Sequence, residues 1–471
     1  MDKILLLNPP GNDLHQRDGY CSVVSKANYY FPPQDLLILS GWLYSKFAVE
    51  VLDAIVSKID KKGCLSQIEK KKYDTIIFLT GASSFREDFV FMNEVKDLNP
   101  EILLLSSGGF LLSEGKKVME ENSWLDGIIL DFTTDDTLRY LSQDLQGLRN
   151  FIYRKDQTVV EKRTNLTEEM KYPLPRHELF PLKEYRMPHG KFPQFTRMIA
   201  SWGCPYKCTF CIYSSVKFRT RNVTEIIEEI KHVLSLGIKS VYFMDPTFSA
   251  DKTNARKLCL KIIKERLKLS WVCETRVDRV DKDFLGLMKK AGCYTIQFGV
   301  ESYNSNLLND HQKATSIEQT RKAFALCKEL KIRTLGHFIL GLPGDTEESI
   351  KETIDFAIEL DCDYASFNIA TPIIGTKMRE EAITEGFISS ERTSLDCSHN
   401  YPLLETNFLS RERLWQLRNY AIRRFHLRPY YLLKKILHIE SIFELTNLSR
   451  LGFSLLNSTL KKAQHSLAAN K

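Results

Sequence analysis

Short apolar runs alternate with longer amphipathic stretches along most of this chain. Lys3–Asn8, Val49–Leu52, Thr75–Thr80, Ile102–Ser106 and Gly127–Leu130 are mostly apolar and too short for ordinary helices. Continuous runs of this kind suit strands buried on both faces. Leu36–Lys46, Glu87–Asp97 and Asp135–Leu145 lie between them with helical composition. The alternation predicts an α/β fold, a doubly wound parallel sheet over residues 1–145. Ligands in such folds bind beyond the carboxyl ends of the strands. Two of those ends carry small residues, Gly81-Ala-Ser83-Ser84 and Ser106-Ser-Gly108-Gly109. Small residues there either admit a large ligand to the backbone or make tight turns.

Residues 146–190 read as a connector, because Pro173, Pro175 and Pro181 interrupt any helix in that region. A second alternation follows. Strands are expected at Arg197–Ser201, Ser240–Met244, Trp271–Glu274, Thr295–Gly299, Thr334–Leu340 and Ala365–Ile369. Helices are expected at Val223–Leu236, capped by Asn222, and at Lys252–Arg266, Asp281–Lys290, Ile317–Leu330 and Glu347–Leu360. Six strands are too few for a closed eight-stranded barrel, so residues 191–375 predict an open, partial (β/α)6 barrel with its chemistry at the carboxyl ends. Residues 376–471 read as a helical C-terminal region, with Arg411–Phe425 and a leucine-rich end from Tyr430. The stretch 448–462 sets apolar residues beside cations and is compatible with an interfacial helix. The more ordinary fate of such a stripe is to pack on its own protein.

Composition narrows the class. The 471 residues are 43% hydrophobic and 27% charged, as in soluble globular proteins, and the length suits about three domains. A net charge of +7 without a long basic run does not call for a nucleic-acid partner. The 11 cysteines are odd in number and scattered, and Met1–Asn8 opens no secretory leader, which argues for free thiols and a cytoplasmic protein.

Three of those cysteines stand together in Cys204-Pro-Tyr-Lys-Cys208-Thr-Phe-Cys211. Three thiolates at this spacing hold three corners of an iron–sulfur cube and leave its fourth iron open to a substrate or cofactor. Gly203 and Pro205 suit a loop wrapped around a cluster. A structural zinc site is the alternative, with Cys259, Cys273 or Cys293 as fourth ligand. Such sites ordinarily use paired Cys-x-x-Cys units, and no second unit is present.

This run, with aromatic Phe210 before the third cysteine, resembles the signature of the radical S-adenosylmethionine superfamily. Residues 1–145 resemble the cobalamin-binding domain that precedes the barrel in one large subgroup. Supporting landmarks are Phe243-Met-Asp245, Glu274-Thr-Arg276-Val-Asp278, Phe298-Gly-Val-Glu301-Ser302 and Gly341-Leu-Pro-Gly344-Asp345-Thr346. The resemblance implies that Cys204, Cys208 and Cys211 ligate a [4Fe-4S] cluster. Its open iron would chelate S-adenosylmethionine, and an electron from a donor such as flavodoxin or ferredoxin would release a 5′-deoxyadenosyl radical. Glu301 would hold the cofactor's ammonium or ribose hydroxyls and Arg276 its carboxylate. Gly341 would admit the adenine, and Phe210 and Asp245 would complete the pocket. Ser83, Gly108 and Gly109 would line cobalamin. Plainer roles stay open: Arg276 can pair with Asp278, and Gly341–Gly344 can be a turn before a helix capped by Asp345 or Thr346.

The first domain departs from its relatives. Asp13-Leu-His15-Gln-Arg-Asp18-Gly19 approaches the motif whose histidine ligates cobalt, but its glycine comes one place late. Phe110-Leu111 stands where relatives often have proline and histidine, and Asp131–Asp135 replaces a Gly-Glu-Gly-Glu run. The fold can therefore persist without the cofactor. The expected activity is cobalamin-dependent methylation of an unactivated carbon. The alternative is a radical cyclase, dehydratase or epimerase of the same architecture. A tRNA methylthiotransferase would need a second cluster near the N-terminus, where only Cys21 and Cys64 occur. The substrate is expected to be a small molecule or lipid-like compound, with membrane contact a secondary expectation.

Overall fold

The computed structural model describes residues 2–17, 22–25, 29–389 and 402–460, with side chains to Ser454. Asp18, Gly19 and Cys21 lie outside the described residues, as does the chain beyond Leu460. Contacts divide the chain into two compact units, Met1–Ser25 with Tyr30–Tyr185, and Lys26–Tyr29 with Arg186–Lys471.

The first unit is built on a seven-stranded sheet. Its parallel strands are Lys3–Asn8, Ala48–Asp53, Thr75–Leu79, Leu103–Ser107 and Gly127–Ile129. Numbered along the chain, they lie side by side in the order 2-1-3-4-5. The winding direction reverses between the first and third strands, where doubly wound folds open a crevice at the carboxyl edge. Leu6, Leu7, Ile76, Ile77 and Phe78 are fully buried, as the continuous apolar runs require.

Two antiparallel strands, Asn150–Lys155 and Thr158–Arg163, extend the sheet from within the segment read as connector. Their turn has Asp156 and Gln157 at φ +48° and +64°, without the glycine that ordinarily announces a tight hairpin. The outer strand is largely exposed and carries Glu161, Lys162 and Arg163, so no hydrophobic run marks it.

In the second unit six parallel strands follow one another in chain order: Thr196–Met198, Ser240–Phe243, Ser270–Thr275, Cys293–Glu301, Arg333–Leu340 and Tyr364–Ile369. This is the expected open barrel. Strand periodicity divides its side chains into two sets. Phe298 packs on Phe324 of the helix Ile317–Glu329, and Phe367 on Phe425 of the helix Arg411–His426. The intervening residues, including Gln297, His337 and Asn368, therefore face the barrel interior.

The helices start where short polar side chains can cap them. Asn222 accepts from Thr224, Asp251 from Asn254 and Asp281 from Phe284, while Ser316 and Thr346 form capping boxes. The predicted first strand, Arg197–Ser201, ends at Met198. Ser201–Trp202 pairs instead with Arg219–Arg221 in a small separate sheet. Among the described residues no helix is long and apolar enough to cross a membrane.

Candidate active site

The three cysteines follow the first barrel strand in a loop anchored from several directions. Gly203 has φ +78°, and a side chain there would overlap the Lys217 carbonyl, so the loop turns where only glycine fits. Asp245, just past the second strand, accepts from the Ala200 amide at 3.1 Å and from the Ser201 amide and hydroxyl. Burial pushes its carboxyl up to about 6 against the pull of those bonds. Asp245 thus grips the backbone that leads into the loop.

His311 holds the far side. Thr209 donates its amide to the His311 carbonyl at 3.1 Å, and its hydroxyl lies 2.7 Å from Nδ1. His311 Nε2 lies 3.1 Å from the Pro343 carbonyl. A carbonyl can only accept, so Nε2 carries a proton and donates it to Pro343. The Met378 amide donates to the Thr209 carbonyl at 2.9 Å. Phe210 packs beside His311 and against Leu307, Leu342, Ala370 and Met378.

The donor set suits an iron–sulfur cluster. Cys204, Cys208 and Cys211 form no disulfide. Burial pushes the Cys208 thiol up, while the charges of Lys313 and Arg276 act in the opposite sense and favour a thiolate. The candidate fourth zinc ligands are engaged elsewhere. Cys273 and Cys293 lie on adjacent strands and Cys259 on the helix Lys252–Lys264, all three fully buried. Burial raises the thiol pKa of Cys259 and Cys273 and keeps both protonated. Among the described residues no three His, Cys, Asp or Glu side chains gather around one metal position.

Glu301 ends the fourth strand at φ +65°, a conformation uncommon outside glycine. Its Oε1 accepts from Lys313 Nζ at 2.7 Å, and both side chains are buried. Burial works against the Lys313 charge, but Glu301 and Cys208 outweigh it and raise its pKa. Glu301 Oε2 has no protein donor among the described residues and is not sealed from solvent.

Arg276 follows the third strand. Nε and Nη2 bond Asp278 at 2.9 and 3.1 Å, and Nη2 also donates to the Lys313 carbonyl at 2.8 Å. Its guanidinium lies over the Tyr206 ring at 3.9 Å. The Arg276–Asp278 pairing is therefore real, and it is buried rather than superficial. Nη1 is left as the guanidinium nitrogen without a protein acceptor among the described residues. Gly341, at φ +80°, lies so close to Leu414 that any side chain would collide with it. Thr346 caps the following helix, and Asp345 accepts from the Gly341 amide at 2.8 Å.

Lys313, His311 and Gly299 were not singled out from sequence. A side chain at Gly299 would displace Glu301 and Lys313 from each other. Lys313 and His311 belong to no short motif and their partners lie beyond local spacing, while Gly299 stands within the landmark Phe298–Ser302 but shows its role only once Lys313 is brought beside it.

At the carboxyl edge of the first unit, Arg17 is buried and bonds Asp88 at 2.7 and 3.0 Å. His15 lies in the same region. Its Nδ1 is 3.3 Å from Ser83 Oγ, and its Nε2 is 3.6 Å from Glu87. Ser83 Oγ also bonds Ser22 at 2.6 Å. Gly108 is crowded by the Thr80 carbonyl and Gly109 is buried beside it, so the protein's own backbone makes the close approach at this turn. Gln16 Oε1, both amide atoms of Gln34, Ser106 Oγ and Thr137 Oγ1 are buried without a partner among the described residues. Gln34 and Thr137 begin helices and Ser106 nears a strand end, all at the carboxyl edge. Buried polar groups ordinarily find hydrogen bonds, so this set suits a ligand rich in amides and hydroxyls, as cobalamin is.

A thiol triad at the mouth of an open barrel, preceded by a doubly wound sheet, defines a class of iron–sulfur enzymes. Residues 198–357 match the Radical SAM superfamily. An uncharacterized methyltransferase from Pyrococcus horikoshii is 28% identical over 450 residues, spanning 92% of this chain and 94% of that protein. The cobalamin-dependent S-adenosylmethionine radical enzyme OxsB superposes with a TM-score of 0.69 at 16% identity, covering 98% of this chain and 72% of OxsB. The radical S-adenosylmethionine methyltransferase TsrM from Kitasatospora setae gives 0.64 at 19% identity, covering 82% and 75%. At those identities the structural likeness is one of fold. Residues 198–357 thus carry a radical S-adenosylmethionine domain, and the chain as a whole shares the fold of OxsB and TsrM.

Proposed function

We propose that this protein is a cobalamin-dependent radical S-adenosylmethionine methyltransferase that methylates an unactivated carbon of a small molecule. The observation that carries this reading is the trio of thiols in a loop braced by Asp245 and His311, beside a carboxylate and a guanidinium that each keep one open atom. Bound in this chain, a reduced [4Fe-4S] cluster supplies the electron that splits S-adenosylmethionine, and cobalamin supplies the metal that carries a methyl group.

Cys204, Cys208 and Cys211 hold the cluster. Arg276 Nη1 takes one oxygen of the methionine carboxylate, and Glu301 Oε2 accepts from the ammonium or the ribose hydroxyls. The main chain at Gly341 lies against the adenine, and Phe210 and its apolar neighbours exclude water from the cluster's flank. Asp245 is a positioning residue. In the first unit Ser83, Gly108, Gly109 and Gln34 border the cobalamin. On this reading residues 1–145 serve the cobalamin and 191–375 the radical chemistry. A flavodoxin- or ferredoxin-like donor supplies electrons, and the protein works in the cytoplasm.

The test is anaerobic turnover of the reconstituted protein. Methyl transfer yields both S-adenosylhomocysteine and 5′-deoxyadenosine, whereas 5′-deoxyadenosine alone identifies a different radical outcome. Cys208→Ala should lose iron and abolish cleavage. Cleavage at the wild-type rate in that variant overturns the assignment.

A further inference from the structure

We infer that the barrel interior is a wet, polar chamber that takes a substrate carrying hydrogen-bonding groups, not a hydrocarbon. The inference deepens the function proposed above and rests on it, since it concerns what the radical acts upon.

The interior face collects polar side chains from every strand. Arg197 of the first strand lies over the ring of Tyr242 of the second, 5.7 Å from its centroid. The Tyr242 hydroxyl donates to Glu274 Oε1 of the third strand, and Gln297 of the fourth strand lies beside Glu274 in register. Gln297 Oε1 lies 2.9 Å from His337 Nε2 of the fifth. Ser366 and Asn368 of the sixth strand continue the face, with Ser366 paired in register with His337.

Register places Glu274 beside Gln297, and His337 beside Gly299, on the strand that ends at Glu301. Leu335 and Ile339 are the apolar residues of the fifth strand on this face.

Interiors of closed barrels are ordinarily filled by branched apolar residues. Here the polar chain satisfies much of itself but leaves a deliberate opening. Glu274 Oε2 has no protein donor among the described residues and is not sealed from solvent. Glu274, His337, Ser366 and Asn368 are only half-buried. A carboxylate oxygen held open by a tyrosine on its twin is an acceptor for an ammonium, amide N–H or hydroxyl of a ligand. A hydrocarbon in the same place would strip water from that carboxylate and return no hydrogen bond, which is costly. The substrate class that fits is a polar small molecule presenting a donor toward Glu274.

Xenon tests the chamber without knowledge of the substrate, because dry apolar cavities bind it and polar ones hold ordered water. Crystals of the cluster-loaded full-length protein, pressurised with xenon, should show waters bonded to Glu274 Oε2 and no xenon in the barrel. Xenon density there, or an interior without water, overturns the inference. A second arm uses S-adenosylmethionine with a deuterated methyl group and cell extracts divided between water and hexane. Label should enter the water-soluble fraction, and label in a hexane-soluble product overturns the inference. Failure of the functional reading is separately visible: the wild-type protein would then release no 5′-deoxyadenosine, whatever fills the barrel.

Discussion

Glu301 and Lys313 form a buried ion pair, 2.7 Å apart, at the end of the fourth barrel strand. The pair does two things at once. It gives Glu301 Oε1 a buried cationic partner, and it leaves Oε2 without a protein donor among the described residues. It also brings a cation toward Cys208, whose thiolate it favours. Buried pairs of this kind contribute little net stability, but breaking one is expensive.

Gly299→Ala tests the pair without removing either charge. The added methyl group would occupy the space now held by Glu301 Oε1 and Lys313 Nζ. We expect S-adenosylmethionine affinity to fall at least about tenfold, roughly 1.4 kcal/mol, with iron content unchanged. Equilibrium dialysis beside iron and sulfide analysis checks this. Wild-type affinity in the variant would mean that the pair does not shape the cofactor site.

His311→Leu removes both ring contacts and leaves Thr209 Oγ1 without its partner. Loss of an acceptor for a buried group costs about 1–3 kcal/mol. Because the contact ties the cysteine loop to the Gly341–Gly344 turn, the expected loss falls on cluster assembly as well as folding. Iron per chain after reconstitution should drop while the far-ultraviolet circular dichroism stays that of the wild type. Full iron loading would show that Asp245 and Met378 suffice to hold the loop.

His15 Nδ1 is within hydrogen-bond reach of Ser83 Oγ, and the Glu87 carboxylate, 3.6 Å from Nε2, faces the other nitrogen. Cobalamin bound to this chain should therefore lack a histidine ligand. His15→Ala should leave the visible spectrum of the cobalamin-loaded protein unchanged, and the paramagnetic resonance of its reduced form should show no nitrogen coupling that the variant lacks. A spectral shift on substitution would identify His15 as a cobalt ligand.

Asp345 carries a pH signature. Burial pushes its carboxyl up to about 6, outweighing its bonds to Ser349 and Gly341, whereas the unfolded chain titrates near about 3.9. The folded state thus keeps a proton that the unfolded state has released. The contribution is fully present below pH ~4 and is lost as pH rises through about 6. Asp345→Asn keeps an acceptor for the Gly341 amide and removes the titration. Between pH 4.5 and 7 the variant should lose less stability than the wild type, by on the order of 2 kcal/mol in urea denaturation. Parallel profiles would exclude this group as a source of the pH dependence.

The legible parts of the site were those written in short spacings. Cys204, Cys208 and Cys211 declare themselves within one loop, and the six barrel strands declare themselves by apolar runs between amphipathic helices. Arg276 and Asp278 were legible as a pair because they are two residues apart. The hairpin Asn150–Arg163 was not, since its outer strand is charged and its turn has no glycine. Nor was the break after Met198, because the carboxylate that holds Ala200 and Ser201 comes from Asp245, in another strand–helix unit.

The chain's own order of residues determined the class of fold, the sequence of strands and the three thiolates, because periodicity and ligand spacing act over a few residues. Tertiary structure decided which charges meet. Thr209 finds His311 across 102 residues, and Tyr242 finds Glu274 across 32. Such pairings depend on how strands lie side by side, and polar groups buried there must be satisfied by whatever the packing brings near. That requirement, rather than any local pattern, braced the cysteine loop and left one oxygen of Glu301 open.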